Sequence, residues 1–249
     1  MQIIVFINRY FTKDFQMFKK INDYFTKVEI ILLCASFFTI ICSFILFDRQ
    51  NYLTLAASLL GAIALILCAK GNPIGQILIL VFSTLYGIIS FSNEYYGEVL
   101  TYAGMTAPMA VVSLISWLKN PYEKGKAEVK TAAVTKKDAV LLALLSPAVT
   151  LAFYFLLKYF GTANLLVSTV SVTTTFIAVY LTFRRSKYFT LAYAVNDIVL
   201  ITLWSLAAIR DISYISVVIC FVTFLANDIY GFISWRKMEK KQHACVSMT

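Results

Sequence analysis

Apolar stretches close to the ~20 residues that a ~30 Å hydrocarbon core demands recur eight times along the chain. They fall at Val28–Phe47, Tyr52–Ala69, Ile74–Phe91, Val99–Leu118, Ala139–Leu157, Leu165–Phe183, Phe189–Ile209 and Ile212–Trp235. Each predicts a membrane-spanning helix, so the expected fold class is an all-α polytopic membrane protein. Separators as short as "DRQN" and "RD" make neighbouring helices antiparallel hairpins. Ahead of the first span, Ile4, Ile7, Phe11, Phe15, Phe18, Ile21 and Phe25 recur at three- and four-residue spacing with Lys and Arg between them. This predicts an amphipathic helix over residues 1–26, lying on the inner membrane surface. A frayed tail is the alternative reading. A signal peptide fits less well, because the apolar start is short and interrupted by charge.

Composition agrees with the pattern. Hydrophobic residues make up 60% of the 249 and charged residues 14%, with a mean hydropathy of +0.77, far from a soluble domain. The net charge of +9 would suggest nucleic acid in a soluble chain. Here the basic residues sit between apolar runs, where they orient helices, and no nucleic-acid partner is expected. Cys34, Cys42, Cys68 and Cys220 lie inside apolar runs without a CxxC pair, and the single histidine, His243, lies near the C-terminus. Neither a metal site nor another cofactor is expected from that inventory.

Sliding the chain by 118 positions pairs "ISWLK" (115–119) with "ISWRK" (233–237), and "TLYG" (84–87) with "TLWS" (202–205). The match predicts two parallel three-helix repeats joined by a connector helix, a 3+1+3 core, plus an extra N-terminal helix. Chance matching of short apolar words is the competing explanation. The expected boundaries are 1–26 for the surface helix, 27–48 for the extra N-terminal span and 49–120 for the first repeat. Residues 121–160 form a cytoplasmic loop and connector, with 119–138 a charged linker; 161–237 form the second repeat and 238–249 a cytoplasmic tail.

Polar residues inside these spans are the candidates for chemistry, since a carboxylate in the membrane must face water or a partner. Asp197 and Asp228 each sit in an "NDI" word, roughly 13 and 10 Å from the expected cytoplasmic face at 1.5 Å per residue, one counted from the start of its span and the other from the end. With Asn196 and Asn227 they form one polar layer, which lines a cavity or else serves as glue between helices. Asn196 and Asp197 are ~100° apart around their helix, so Asn196 is expected as ligand and Asp197 as support. Trp204, with Tyr86 at the matching repeat position, lies deeper than an interface belt, whereas Trp117 and Trp235 read as belt anchors beside Lys and Arg. Aromatic walls with amides and carboxylates suit a flat, sugar-bearing solute. The expected binding residues are Asn196, Asn227, Asp228, Trp204, Tyr230 and Tyr86, with Tyr102 and Thr106 in the first repeat. Pro108 and Pro147 interrupt two spans, as kinks for a gate or for packing.

The segment "DIYGFISWRK" (228–237), together with "TLYGIISF" (84–91), Tyr96 and Asn196, resembles the bacterial PnuC-type vitamin transporters, relatives of the SWEET sugar transporters. The resemblance covers about residues 50 to 240. It implies a homotrimer in the bacterial inner membrane that carries a nucleoside-like solute, nicotinamide riboside or a related nucleoside such as a deoxyribonucleoside, by facilitated diffusion. Intracellular phosphorylation would then trap the solute. Two positions depart from the family pattern: Phe189 and Ala192 stand where nicotinamide riboside carriers have a WxxW pair, and Tyr102 where they have Gln. Thiamine and riboflavin therefore remain alternative solutes. An intramembrane enzyme is the alternative from another class, although the spans contain no DxxD, HExxH or nucleophile–His pair.

The assumed topology places 19 Lys and Arg on one side of the membrane and only Arg49, Lys158 and Arg210 on the other. Both termini are therefore expected in the cytoplasm. Thiol labelling of a cysteine introduced at the C-terminus should be blocked in intact cells and released by permeabilisation, and labelling of intact cells would overturn both the orientation and the span count.

Overall fold

The computed structural model describes residues 24–92, 96–123 and 126–246. The expected surface helix, apart from its last three residues, lies outside them. The described chain is helical, with eight helices long and apolar enough to cross a membrane. They are α1 (Lys27–Phe47), α2 (Tyr52–Ala69), α3 (Ile74–Ser92), α4 (Tyr96–Lys119), α5 (Lys136–Tyr159), α6 (Leu165–Phe183), α7 (Tyr188–Ala208) and α8 (Ile215–Val246). A short 3₁₀ turn, Ile212–Tyr214, precedes α8, and the last helix runs on through residues 238–246 of the expected tail. Contacts divide the chain between Ala35 and Ser36, part-way along α1. In the first unit, Thr26 and Glu29 form reciprocal backbone hydrogen bonds that start α1 as a capping box.

In the second unit, six helices close into a ring: α2 packs on α3, α3 on α4, α4 on α6, α6 on α7, α7 on α8, and α8 back on α2. The order is unchanged when α2, α3 and α4 are exchanged for α6, α7 and α8, as a parallel repeat requires. The connector α5 stands outside the ring against α6. Side chains of α6 suit a polar helix in lipid, because Thr169, Thr173 and Thr182 return their hydroxyls to carbonyls four residues back. At the mouth of α5, Asp138 completes a capping box with Thr135. It also receives Arg184 at 2.8 Å and Tyr180 at 2.9 Å, fixing the connector to the end of α6.

The turns between α2 and α3 and between α6 and α7 have the same construction. Gly71 and Arg185 both adopt positive φ, 65° and 56°, and the amides of Asn72 and Ser186 reach back to Leu67 and Leu181. These turns match at a spacing of 114 residues, whereas Trp117 and Trp235 match at 118. The four-residue difference is about one helical turn, so the inward faces stay in phase across the insertion. Counted from the turn, Tyr86 corresponds to Leu200; counted from the far end it corresponds to Trp204.

Three sequence expectations change. Trp117 and Trp235 are fully buried, not belt anchors, and their rings meet at 5.5 Å. Trp117 Nε1 donates to the Thr182 carbonyl at 2.9 Å, and Trp235 Nε1 to the Cys68 carbonyl at 2.8 Å. Each repeat thus caps the turn of the other. The segment 119–138 is not a plain linker: the Val129 amide donates to Gly71 O and that of Ala132 to Arg185 O, so it straps both turns. Gln242, on the extension of α8, bonds to Val129 and Thr131 and holds the strap. Pro147 lies within a continuous α5, whereas Pro108 follows a local change in α4.

Trp235→Phe keeps the ring packing but removes the indole donor, leaving the Cys68 carbonyl with the Gly71 amide alone. Its unfolding free energy in detergent should fall by about 0.5–1.5 kcal/mol, read from the denaturation midpoint; a wild-type midpoint would mean that the indole bond does not hold the repeats together.

Candidate functional site

The ring encloses a cavity of about 70 Å³ to which all six of its helices contribute. Helix α7 supplies Phe189, Tyr193, Asn196 and Leu200, a stripe at four- and three-residue spacing, with Asp197 beside it. Helix α8 supplies Phe221, Phe224 and Asp228 on one face, and α3 supplies Gln76, Ile79 and Phe82. Gly61 on α2 has no side chain for a physical reason, since a Cβ there would stand 2.5 Å from the Phe224 ring.

Helix α4 reaches the cavity through a widened turn. Pro108 has no N–H to offer the carbonyl four residues back, and the preceding residues Tyr102–Thr106 open into a π-helical turn. The extra space is closed by Thr106 Oγ1, which donates to the Thr101 carbonyl at 3.0 Å. Tyr102 and Thr106 both line the cavity as a result.

The polar layer is real, but its members divide. Asn196 is buried and lines the cavity, its Oδ1 accepting from Thr174 Oγ1 at 2.7 Å and Thr175 Oγ1 at 3.0 Å. Those bonds from α6 orient the amide and leave its NH₂ edge for the cavity. Asp197 was expected to support Asn196 from outside, yet it lines the same cavity. The 100° between them is spanned because Asn196 leans to α6 while the Asp197 side chain meets that of Asp228 on α8. Asn227 points away: its Nδ2 donates to Ser36 Oγ at 3.0 Å and to the Thr223 carbonyl at 2.9 Å, tying α8 to α1. Tyr230 is half-buried and does not line the cavity.

Tyr86 and Trp204 lie farther from the basic turns. Tyr86 contacts Tyr102 with ring centroids 4.5 Å apart and Trp204 at 6.5 Å. Both line a second cavity of about 130 Å³, with Asp48, Asn51, Asp211 and Tyr214. Trp204 also borders a third, of about 200 Å³, that contains Glu98. Of the expected set, the structure therefore gathers Asn196, Asp228, Tyr102 and Thr106, with Asp197, on the inner cavity; Tyr86 touches Tyr102 but lines a different cavity with Trp204, and Asn227 and Tyr230 do not line the inner one.

Sequence reasoning missed Gln76, Phe82, Tyr193, Phe221 and Phe224. The signal was present as helical spacing: 221, 224 and 228 share one face of α8, which also turns 227 away. Gln76 was an unexplained amide in an apolar run, and its Nε2 lies 3.3 Å from Cys68 Sγ. Phe189, at a position of the family's tryptophan pair, keeps an aromatic wall on the cavity, its ring 4.9 Å from Trp235. Ala192 packs instead against the cluster of Trp117, Trp235 and Cys68.

Comparison with known proteins is consistent with this architecture. The sequence model described as Nicotinamide mononucleotide transporter matches residues 51–237, the ring and connector without α1. The nicotinamide riboside transporter PnuC of Neisseria mucosa is 25% identical over 199 residues, covering 78% of this chain and 76% of the relative. The nicotinamide riboside transporter PnuC of Haemophilus influenzae is 21% identical over 193 residues, covering 77% and 82%. The crystal structure of the vitamin B3 transporter PnuC superposes with a TM-score of 0.76 at 23% identity, over 88% of this chain and 94% of that one. A family match across most of the chain sets aside the intramembrane-enzyme alternative. The chain belongs to the nicotinamide mononucleotide transporter family and is a multi-pass membrane transporter.

Proposed function

We propose that this transporter carries nicotinamide riboside or a related nucleoside by facilitated diffusion into a bacterial cell, where phosphorylation traps the solute. The observation that carries the reading is the cavity itself, an amide and two carboxylates set among Phe82, Tyr102, Phe189, Tyr193, Phe221 and Phe224. Aromatic faces stack a flat base while Asn196, Asp228 and Gln76 meet ribose hydroxyls and a carboxamide. The curated relatives named as nicotinamide riboside transporters support the same solute. At about 70 Å³ the cavity is well below the ~300 Å³ usual for a bound small molecule, so the helices part to admit it. The proposal includes a homotrimer in the inner membrane with cytoplasmic termini. Connector α5 lies outside the ring and turns Val140, Leu144, Leu151 and Phe155 outward, leaving an apolar surface for subunits or lipid.

Purified protein should gain thermal stability with nicotinamide riboside, and liposomes should equilibrate it at the same rate with or without a proton or sodium gradient. Concentrative uptake dependent on either ion would refute facilitated diffusion, and stabilisation by thiamine or riboflavin instead would reassign the solute.

Asn196→Ala should weaken binding by about 1–3 kcal/mol in titration calorimetry, the cost of an unmet polar partner, while the protein stays folded. Asn227→Ala should lower the denaturation midpoint and leave affinity near wild type, because that side chain ties α8 to α1. The reverse assignment of effects would move the binding surface to the other face of α8.

A further inference from the structure

Glu98, near the start of α4, is buried to 6% exposure, and among the described residues its Oε2 has no hydrogen-bond partner. It lines the cavity of about 200 Å³ at the end of the ring away from the basic turns. Thr162 lines the same space and its buried Oγ1 is likewise unpartnered. The two are brought together by Gly97, where a Cβ would stand 2.9 Å from Thr162 Cγ2. Trp204 and Tyr214 line the same cavity with their rings 5.4 Å apart, as do the exposed Arg210 and Tyr96. A carboxylate held without a partner in a low-dielectric pocket is costly. A carboxylate sharing one cavity with an indole and a phenol supplies the two elements that recognise a flat organic cation, counter-charge and π face.

We propose that this outer cavity is a second binding site, selective for a cationic heteroaromatic ring such as a pyridinium, with Glu98 as counter-charge and Trp204 and Tyr214 as its stacking wall. The site precedes the inner cavity on the solute's path, a placement that rests on the transport reading above. Glu98, Tyr102 and Thr106 follow one another at four-residue spacing on α4, and Leu200, Leu203, Trp204 and Ala207 continue along α7. Both cavities therefore share α4 and α7, together with α6 through Ser168 and Thr175, and are parted by the rings of Tyr86, Tyr102 and Trp204. Arg210 also lines this cavity, at its rim, where it is exposed to solvent and its charge is screened.

The full chain in nanodiscs is titrated with 1-methylnicotinamide, a pyridinium cation without a ribose, and with neutral nicotinamide, by calorimetry and by tryptophan fluorescence. The cation should bind at least about tenfold more tightly than the neutral ring, and Glu98→Gln should remove about that factor. Glu98→Asp, which keeps the charge, should retain most of it. Quenching by the cation should vanish in Trp204→Phe. Equal affinity for the two probes in the wild type would overturn the proposal even if the Gln variant failed to fold, and so would unchanged binding to a folded Glu98→Gln protein. Ion-driven uptake that is lost in Glu98→Gln while probe binding persists would also overturn it, making Glu98 a proton carrier. If nicotinamide riboside is not taken up but Glu98-dependent binding of the cation remains, the site stands and the transport reading falls.

Discussion

Two indole N–H groups, each donated across the repeat boundary, hold the basic end of this transporter together. Trp117 belongs to the first repeat and caps a turn of the second; Trp235 belongs to the second and caps a turn of the first. Inside a bilayer no water replaces a lost partner, so separating the repeats here would strand two indole donors at once, while each carbonyl kept only the amide of its own turn. The strap adds bonds from Val129 and Ala132 to the same turns, and Gln242 fixes the strap to α8. Phe189 packs on Trp235 and also lines the inner cavity, so the clamp is the cavity's floor.

Hydropathy and length carried the fold, because a spanning helix must satisfy its own backbone and bury about 20 apolar residues in sequence. The repeat was legible in "ISWLK" and "ISWRK" for the same reason that it matters: those words are the clamp. What the words could not convey was the partner. A tryptophan beside Lys reads the same whether it anchors in a headgroup region or donates to a carbonyl 65 or 167 residues away. The one-turn insertion between the Arg185 turn and Trp235 was also hidden, since a four-residue slip leaves helical faces in register and disturbs no apolar pattern.

The candidate site was half legible. Two adjacent polar residues on a helix face directions ~100° apart, so "ND" in α8 could contribute one side chain to the cavity and not both. The stripe of Phe221, Phe224 and Asp228 chooses the aspartate, and Asn227 becomes a tie to Ser36. In α7 the same geometry gave a different outcome, because Asn196 and Asp197 each find a partner helix at the cavity's edge, Thr174 and Thr175 on one side and Asp228 on the other. Glu98 drew no notice in the sequence, since it reads as a residue of a short loop; only burial against Thr162 gives it significance.

The two ends of the ring are closed by different kinds of contact, and that difference sets which end yields first. At the basic end the closure is directional, built on buried hydrogen bonds that cost roughly 1–3 kcal/mol each to leave unmet. Toward the far end it is made of ring contacts between Tyr86, Tyr102 and Trp204 at 4.5 to 6.5 Å, each worth about 0.5–1.5 kcal/mol beyond area and tolerant of changes in tilt. Aromatic rings can slide past one another without stranding a polar group, whereas an indole cannot leave its carbonyl without doing so. A flat aromatic ring that entered between Tyr86, Tyr102 and Trp204 would replace one ring contact with another, so its own shape would lower the barrier there. The basic end opens only if strap, turns and tryptophans move together, because strap and tryptophans are both hydrogen-bonded to the turns.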